Sequence, residues 1–562
     1  MTGKLCIRAF QKLFRAQTGR VYLNKHFTRN ISISHSRYDE KDIKLDSSLP
    51  PPPSSSEISI QLETPIQKSV YEKTMDLYGD DLYNCEDYCV LKDYKDYHIH
   101  KRGDGYQNSL RILKMDFIDA KHATMRFFNK EVKEPKFYEV DFFQEWCDIL
   151  VIGGGAMGAS CGYFLKTLAP HGTKVLVIDK DPTYKTCATT LSVGGLRQQF
   201  SLPESIEMSL FGADFIRTMG RSLAIDGYPP PEANFEPYGY LVLASEEGAA
   251  TLKANSDLQR SLGAKNTLLS PNKLKERFPW INVNGIELGC LGLKNEGWFD
   301  PWSLLDALKK KSIRLGAVYA DYELIGIEFE AWKGNSMRPT HFDRPLSAIC
   351  RRKDGRLGTV DFAHAVICAG AESGRIGRFF RMGLEGGIMR CPIPVEPRKR
   401  YVYCVHCPDG PGIDTPLVVD PNGTYFRREG LRGDYICGVS PTEEEEPPTD
   451  NLDVDYDFFD NRVWPSLANR VPAFEKLKLK SAWSGCYEYN YFDQNGIIGR
   501  HPLLENIFMA TGFSGHGIQH APAVGRAIAE LIYEYQYMTI DCSRLGFDRF
   551  LAKKPLLERN IF

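Results

Sequence analysis

The chain has 562 residues, 43% hydrophobic and 25% charged, a composition that excludes a disordered protein and a length that exceeds a single small core. A formal net charge of −2 excludes a globally basic nucleic-acid binder, and no stretch of about eighteen residues is uniformly apolar enough for a spanning helix. The 15 cysteines are odd in number and show no framework spacing, so they read as free thiols of a reducing compartment.

From Met1 to Tyr38 there is no Asp or Glu. Lys4, Arg8, Lys12 and Arg15 fall on one face at helical spacing, with Leu5, Ile7, Phe10, Leu13 and Phe14 mostly on the rest of the turn. An acid-free, basic, amphipathic start predicts a mitochondrial transit peptide over 1–38, cleaved near Arg29 to Arg37. Residues 39–146 read as a linker and N-terminal extension, with Pro50–Pro53 and Ser54–Ser56 as low-complexity sequence. Cys85, Cys89, His98 and His100, and separately Cys404 and Cys407, have spacings that zinc sites use. The first group sits in charged, tyrosine-rich sequence and the second lacks another pair nearby, so no metal is expected. Gln107–Asn129 has helical apolar spacing through Leu110, Leu113, Phe117 and Ile118, as if to pack on the main body.

Asp148–Ile152 is an apolar run suited to a strand buried on both faces. It leads into Gly153-Gly154-Gly155-Ala156-Met157-Gly158, then a helical pattern, then a second strand, Lys174–Ile178, ending at Asp179. This is the dinucleotide fingerprint. Gly153 permits the tight turn, Gly155 lets backbone approach a diphosphate, and Gly158 lets helix and strand pack closely. Amides at the helix start stabilise phosphate charge, and Asp179, twenty-one residues beyond Gly158, can accept hydrogen bonds from ribose hydroxyls. The fingerprint alone leaves NAD and FAD open. The small polar loop Ala188–Gln199 favours FAD, because its glycines let backbone run close under a flavin's phosphates and ring edge.

Together these segments resemble the D-amino-acid oxidase/sarcosine oxidase-like (DAO) flavoproteins over about residues 147 to 540. Glu296–Pro301, Ala365–Ser373, Asn495–Gly499 and Gly512–Ile518 look like further motifs of that family, in the family's order, with Glu372 in place of a usual tryptophan. The resemblance implies an α/β fold: a Rossmann-like FAD-binding domain of the glutathione-reductase type, interleaved with a mostly antiparallel α+β substrate domain. The expected boundaries are 147–225, 290–385 and 481–545 for the FAD-binding domain, 226–289 and 386–480 for the substrate domain, and 546–562 for a C-terminal tail. The cofactor is expected against Gly153, Gly155, Ala156, Met157, Gly158, Asp179, Lys180, Thr189, Ser192, Gly194, Gly195, Leu196 and Arg197. From the later motifs it is expected against Ala369, Gly370, Gly515, His516, Gly517 and Ile518.

Family members pass a hydride equivalent from a C–N bond to the flavin, a step that needs positioning more than a strong base. No catalytic residue is assigned; the candidates are His516, Arg197, Tyr425, Arg427 and Gln519. Arg398, Lys399, Arg400, Arg427 and Arg428 are possible substrate cations, against the plainer expectation that they pair with acids such as Glu396 and Glu429. Two departures weaken an oxidase reading. Gln519 stands where sarcosine-oxidase-like members often carry a carboxylate-binding lysine, and Asp434–Gly438, the counterpart of an oxygen-activating strand, has no lysine. Cys486 lies where some relatives attach flavin covalently, but a plain core thiol is expected.

Leu191–Gly195, Gln198–Glu204, Glu396–Tyr403 and Tyr425–Gly430 look like a mitochondrial member associated with assembly of respiratory complex I. That likeness implies a matrix location, sometimes at the inner membrane, with complex I subunits or assembly intermediates as partners. The alternatives are a matrix dehydrogenase of a small amine or N-methyl amino acid, and a nicotinamide-dependent dehydrogenase.

Overall fold

The computed structural model describes residues 143–331, 343–384 and 387–559, together with helical positions Leu113, Phe117, Ala120, Lys121, Thr124 and Met125. Every described residue belongs to one compact unit within Thr64–Phe562. The expected transit peptide, the Pro/Ser stretch and the Cys85–His100 group lie outside the described residues. Leu113 and Phe117 are helical but 63% and 79% exposed, so these two do not pack on the body as their spacing suggested. Periodicity can form a helix without supplying a surface for it to cover.

In chain order the strands are β1 (Trp146–Ile152), β2 (Val175–Ile178), β3 (Gly195–Leu196), β4 (Tyr240–Ala244), β5 (Asn266–Leu269) and β6 (Leu288–Gly292). They continue with β7 (Gly297–Trp298), β8 (Val318–Ala320), β9 (Tyr322–Ala331), β10 (Asp343–Arg352), β11 (Leu357–Ile367) and β12 (Val395–His406). The last six are β13 (Leu417–Val419), β14 (Tyr425–Glu429), β15 (Asp434–Gly438), β16 (Lys478–Asn490), β17 (Ile497–Arg500) and β18 (Ile507–Thr511). The helices that position the site are α1 (Ala156–Leu168), α2 (Pro203–Ser222), α3 (Pro301–Arg314), α4 (Ser373–Phe379), α5 (Trp464–Arg470) and α6 (Gly517–Tyr533).

One sheet has the order β17-β18-β11-β1-β2-β8, with β10 also pairing β11 and β9 pairing β10. Its centre is parallel: β1 pairs β2 and β11, β2 pairs β8, and β11 pairs β18 in the same sense. Side chains of β1 alternate between two cores. Ile149 and Val151 pack with α1, α3 and α6, while Leu150 and Ile152 pack with Tyr322, Phe362, Ile376 and Phe380. Each such side chain, fully buried, stabilises by about 1.5–3 kcal/mol. This explains why the strand reads as an unbroken apolar run rather than an alternating one.

The second sheet, β16-β12-β15-β14-β13-β4-β6-β5, is antiparallel except where β13 runs parallel to β4. An aromatic core of Tyr403, Phe426, Tyr435 and Phe474 lies between it and α5. β16 pairs with β12 from Lys478↔His406 to Asn490↔Val395. The crossing back to the first sheet therefore falls after Asn490, not at the expected 481. One continuous ladder carries β16 past that point, so Tyr487 and Glu488 belong to the second sheet.

Candidate cofactor and substrate site

The first sheet presents the carboxyl ends of β1, β2 and β11 at one edge, the crevice where open α/β sheets bind ligands. The turn after β1 meets its steric demands with glycine. Gly153 has φ +101°, and a Cβ there would overlap Cys368 O; a Cβ on Gly158 would overlap Gly153 O. A Cβ on Gly155 would stand 3.2 Å from Cys187 Sγ and 3.3 Å from Thr189 Oγ1. Thr189 Oγ1 accepts a hydrogen bond from the Ala156 amide at 3.0 Å. Asp179 Oδ2 accepts from the Gly154 amide at 2.7 Å and Oδ1 from Asp181 at 2.8 Å. Burial is the largest influence on Asp179 and raises its pKa, opposed by these amides.

Two helix starts stand side by side here. α1 begins without a side-chain cap or first-turn carboxylate, and so does α6. They pack closely: a Cβ on Gly525 would collide with Ser160, and one on Gly517 would lie 3.3 Å from Met157 Cε. Gly515 has φ +93°, and a Cβ there would meet nothing nearer than Tyr487 Cε2 at 4.0 Å. Gly370, after β11, has φ +54°, and its nearest side-chain atom to such a Cβ is Glu488 Oε2 at 3.7 Å. Bare helix starts and glycine backbone suit a long anion with a flat polar ring.

Several expected residues serve as scaffold. Ser192 Oγ accepts from the Gly194 amide at 3.1 Å, Gly194 abuts Phe299 O, and Gly195 and Leu196 form β3 against β7. Lys180 lies on the rim, 3.7 Å from Glu372. Three catalytic candidates change role. Gln519 is buried and its Oε1 accepts from the Arg197 amide at 2.8 Å, so its amide ties α6 to the loop instead of facing substrate. Arg427 donates to Val193 O at 3.0 Å, pairs with Glu429 and stacks over Trp298, holding the Ser192–Gly195 loop from behind. His516 makes a 2.8 Å bond from Nδ1 to Phe513 O, and burial pushes its pKa down to about 3. At neutral pH it is a neutral hydrogen-bonding group, not a proton donor. The other cations are paired as well: Arg398 with Glu396 at 2.7 Å, Arg400 with Glu446 at 2.8 Å, Lys399 with Asn451 at 3.0 Å, and Arg428 with Glu236 at 3.8 Å.

A circuit of aromatic and polar side chains starts and ends at the loop that opens α6. From His516 it passes to Phe200 (5.3 Å between rings), to Arg197 (4.8 Å over Phe200) and to Tyr240 (5.7 Å). Tyr425 lies within electrostatic reach of both Tyr240 and Arg400. Arg400 stacks over Tyr487 at 4.9 Å, and Tyr487 returns to Gly515. Arg197 and Tyr425 each neighbour Tyr240; Tyr240, Tyr487 and Glu488 were missed. The signal for Glu488 was an acid between tyrosines, Tyr487-Glu488-Tyr489, near the end of a strand. The Tyr240 and Tyr425 hydroxyls make no hydrogen bond among the described residues, and burial raises the pKa of both. They are neutral donors available to a small polar ligand. Cys486 lies opposite Lys399, and burial raises its pKa, which keeps it a thiol. Among the described residues no group of three or more His, Cys, Asp or Glu could hold a metal.

A parallel sheet with a glycine turn, two bare helix starts and an antiparallel sheet closing over them define a dinucleotide-binding flavoprotein. The FAD dependent oxidoreductase (DAO) model matches residues 148–531, and the chain belongs to that family, whose cofactor is FAD. It is 47% identical over 431 residues to FAD-dependent oxidoreductase domain-containing protein 1 of Xenopus laevis, covering 75% of this chain and 86% of that one. It is 44% identical over 471 residues to the Drosophila melanogaster homolog, covering 81% and 90%. Among solved structures, L-proline dehydrogenase from P. horikoshii shares the fold with a TM-score of 0.61 at 24% identity, covering 74% of this chain and 100% of that one.

Proposed function

We propose that this chain acts in the mitochondrial matrix in the assembly of respiratory complex I, with FAD held in a dehydrogenase-type site. The observation that supports this reading is the reach of the likeness. Identity of 44–47% extends over three quarters or more of the chain and so takes in the second sheet as well as the nucleotide turn. The acid-free stretch before Asp39 supports import, and complex I subunits or assembly intermediates are the partners, met at the inner membrane. In cells lacking the protein, native gels are expected to show depleted complex I, restored by the wild-type chain. Normal complex I without the protein would overturn the proposal. A Gly158→Val chain, tested in the same cells, tells whether assembly needs bound FAD.

The second reading is a dehydrogenase of a small amine or N-methyl amino acid that hands its electrons to a carrier. It is favoured by Arg197 over the Tyr240 ring and by the neighbouring Tyr240 and Tyr425 hydroxyls, which make no hydrogen bond among the described residues. Bound FAD supplies a hydride acceptor; Arg197 and the two phenols would orient a polar substrate group, and Phe200 and Tyr487 would exclude water. In either reading oxygen is a poor acceptor. β15 carries no lysine, and the buried lysine of the second sheet, Lys399, is committed to Asn451. A cation aimed at charge developing during a reaction is typically worth about 10²- to 10³-fold in rate. Reduced protein is therefore expected to reoxidise in air more slowly than oxidases by about that factor. Stopped-flow absorbance on the reduced protein measures it, and reoxidation at oxidase rates would contradict the expectation.

A further inference from the structure

We propose that Glu488 is the redox-linked proton site of this flavoprotein: it takes up a proton when the cofactor is reduced and releases it on reoxidation. The inference goes beyond the assembly role and rests on FAD occupying the crevice. Its first support is position. β16 carries Glu488 from the second sheet into the crevice, where its carboxylate reaches the loop that opens α6. Oε1 accepts from the Phe513 amide at 3.3 Å and Oε2 from Thr511 Oγ1 at 3.3 Å. Cβ atoms on Gly517 and Gly370 would lie 3.2 and 3.7 Å from its two oxygens. The carboxylate thus sits between two stretches of bare backbone expected to touch the cofactor.

The second support is what surrounds it. No cation pairs with Glu488 among the described residues. Opposite it on β12 is Pro397, and the neighbouring Arg398 is paired with Glu396 and Glu446. The Cys368 thiol after β11, the Cys486 thiol and Tyr487 phenol on its own strand, and the His516 imidazole before α6 are all neutral at pH 7. Burial raises the first three and lowers the last. Glu372, beyond Gly370, is paired with Arg375 and Lys180. Burial raises the Glu488 carboxyl to about 7, against backbone and hydroxyl donors that favour the anion. An uncompensated carboxylate poised near neutrality responds to any negative charge placed nearby. Reduction by two electrons adds such charge, so the proton balance is one proton gained by the Glu488 carboxylate for each reduction cycle.

The sign follows from linkage. Adding electrons beside Glu488 raises its pKa further. Below pH 7 the group is protonated in both states and contributes nothing to proton uptake. Above pH 7, up to its pKa in the reduced protein, reduction carries one extra proton. One proton per two electrons changes the reduction equilibrium tenfold per pH unit, about 30 mV.

The test is spectroelectrochemical titration of the FAD-loaded full chain between pH 6 and 9. The wild-type potential is expected to fall more steeply with pH above about 7, by about 30 mV per unit, and Glu488→Gln is expected to lose that extra slope. Coincident profiles for the two proteins would overturn the proposal. Should Glu488→Gln fail to hold FAD, reduced-minus-oxidised infrared spectra of the wild type at pH 8 decide. A protonated-carboxyl C=O band appearing on reduction supports the proposal, and its absence refutes it. Failure of the wild type to bind FAD would instead sink the cofactor reading itself.

Discussion

Replacing Gly158 with valine is expected to yield a protein that no longer retains FAD. A Cβ at this position overlaps Gly153 O, and local relaxation is blocked on both sides. Gly153 is itself fixed at φ +101° against Cys368 O, and α1 is held on α6 where Gly525 meets Ser160. The helix must therefore move away from β1, taking with it the Gly155 backbone and the bare helix start. Overpacking of this kind costs about 1–3 kcal/mol. If the distortion falls on the diphosphate cradle, about 2.8 kcal/mol lowers affinity about 100-fold. Fluorescence titration with FAD and melting with and without added FAD measure the two effects separately. Retention of FAD at wild-type stoichiometry would show that the turn is not the diphosphate site.

Arg549→Ala is expected to cause a large loss of stability. Asp493 has a fully buried side chain, and Arg549 meets it with Nε at 2.6 Å and Nη2 at 3.1 Å. The same guanidinium donates to Asn495 O and Gly496 O, both at 3.0 Å, so it also holds the turn that returns the chain from β16 to β17. Asp493 further accepts from Asn490 Nδ2 at 2.9 Å and from the Leu556 amide at 3.1 Å, which fastens the C-terminal segment. Removing the arginine leaves a buried carboxylate without its counter-charge, at a cost of about 3–5 kcal/mol. The midpoint of the first urea transition reports the loss, since a chain of several cores need not unfold in one step. Arg549→Lys, which keeps charge but not the fork, is expected to fall between. A change within about 0.5 kcal/mol for Arg549→Ala, the scale of an ordinary surface substitution, would refute the assignment.

The nucleotide turn was legible because it is local. Gly158 is constrained by Gly153 O, Gly155 by Cys187 and Thr189 in the loop after β2, Gly153 by Cys368 O after the adjacent β11, and Asp179 by the length of one strand-helix-strand unit. Likewise the unbroken apolar runs of β1 and β2 follow from burial on both faces, a condition their composition states directly. The substrate side was only partly legible. Arg427 and Gln519 have the chemistry to bind a carboxylate, and nothing in their neighbours along the chain says otherwise. Their donors and acceptors are taken by Val193 O and the Arg197 amide, 234 and 322 residues away.

The sequence by itself determined the class of cofactor, the buried strands and the steric need for glycine at the turn. Apart from Gly153, whose close neighbour is the distant Cys368 O, these depend on spacing within a few dozen residues, where covalent geometry leaves few options. Only the tertiary structure decided which polar groups face the crevice. Tyr240, Tyr425 and Tyr487 come from three strands of the second sheet, and Glu488 reaches α6 because the β12–β16 ladder runs to Asn490. A polar side chain's role is set by whether its hydrogen-bonding capacity is already satisfied, and that depends on partners the linear order does not name.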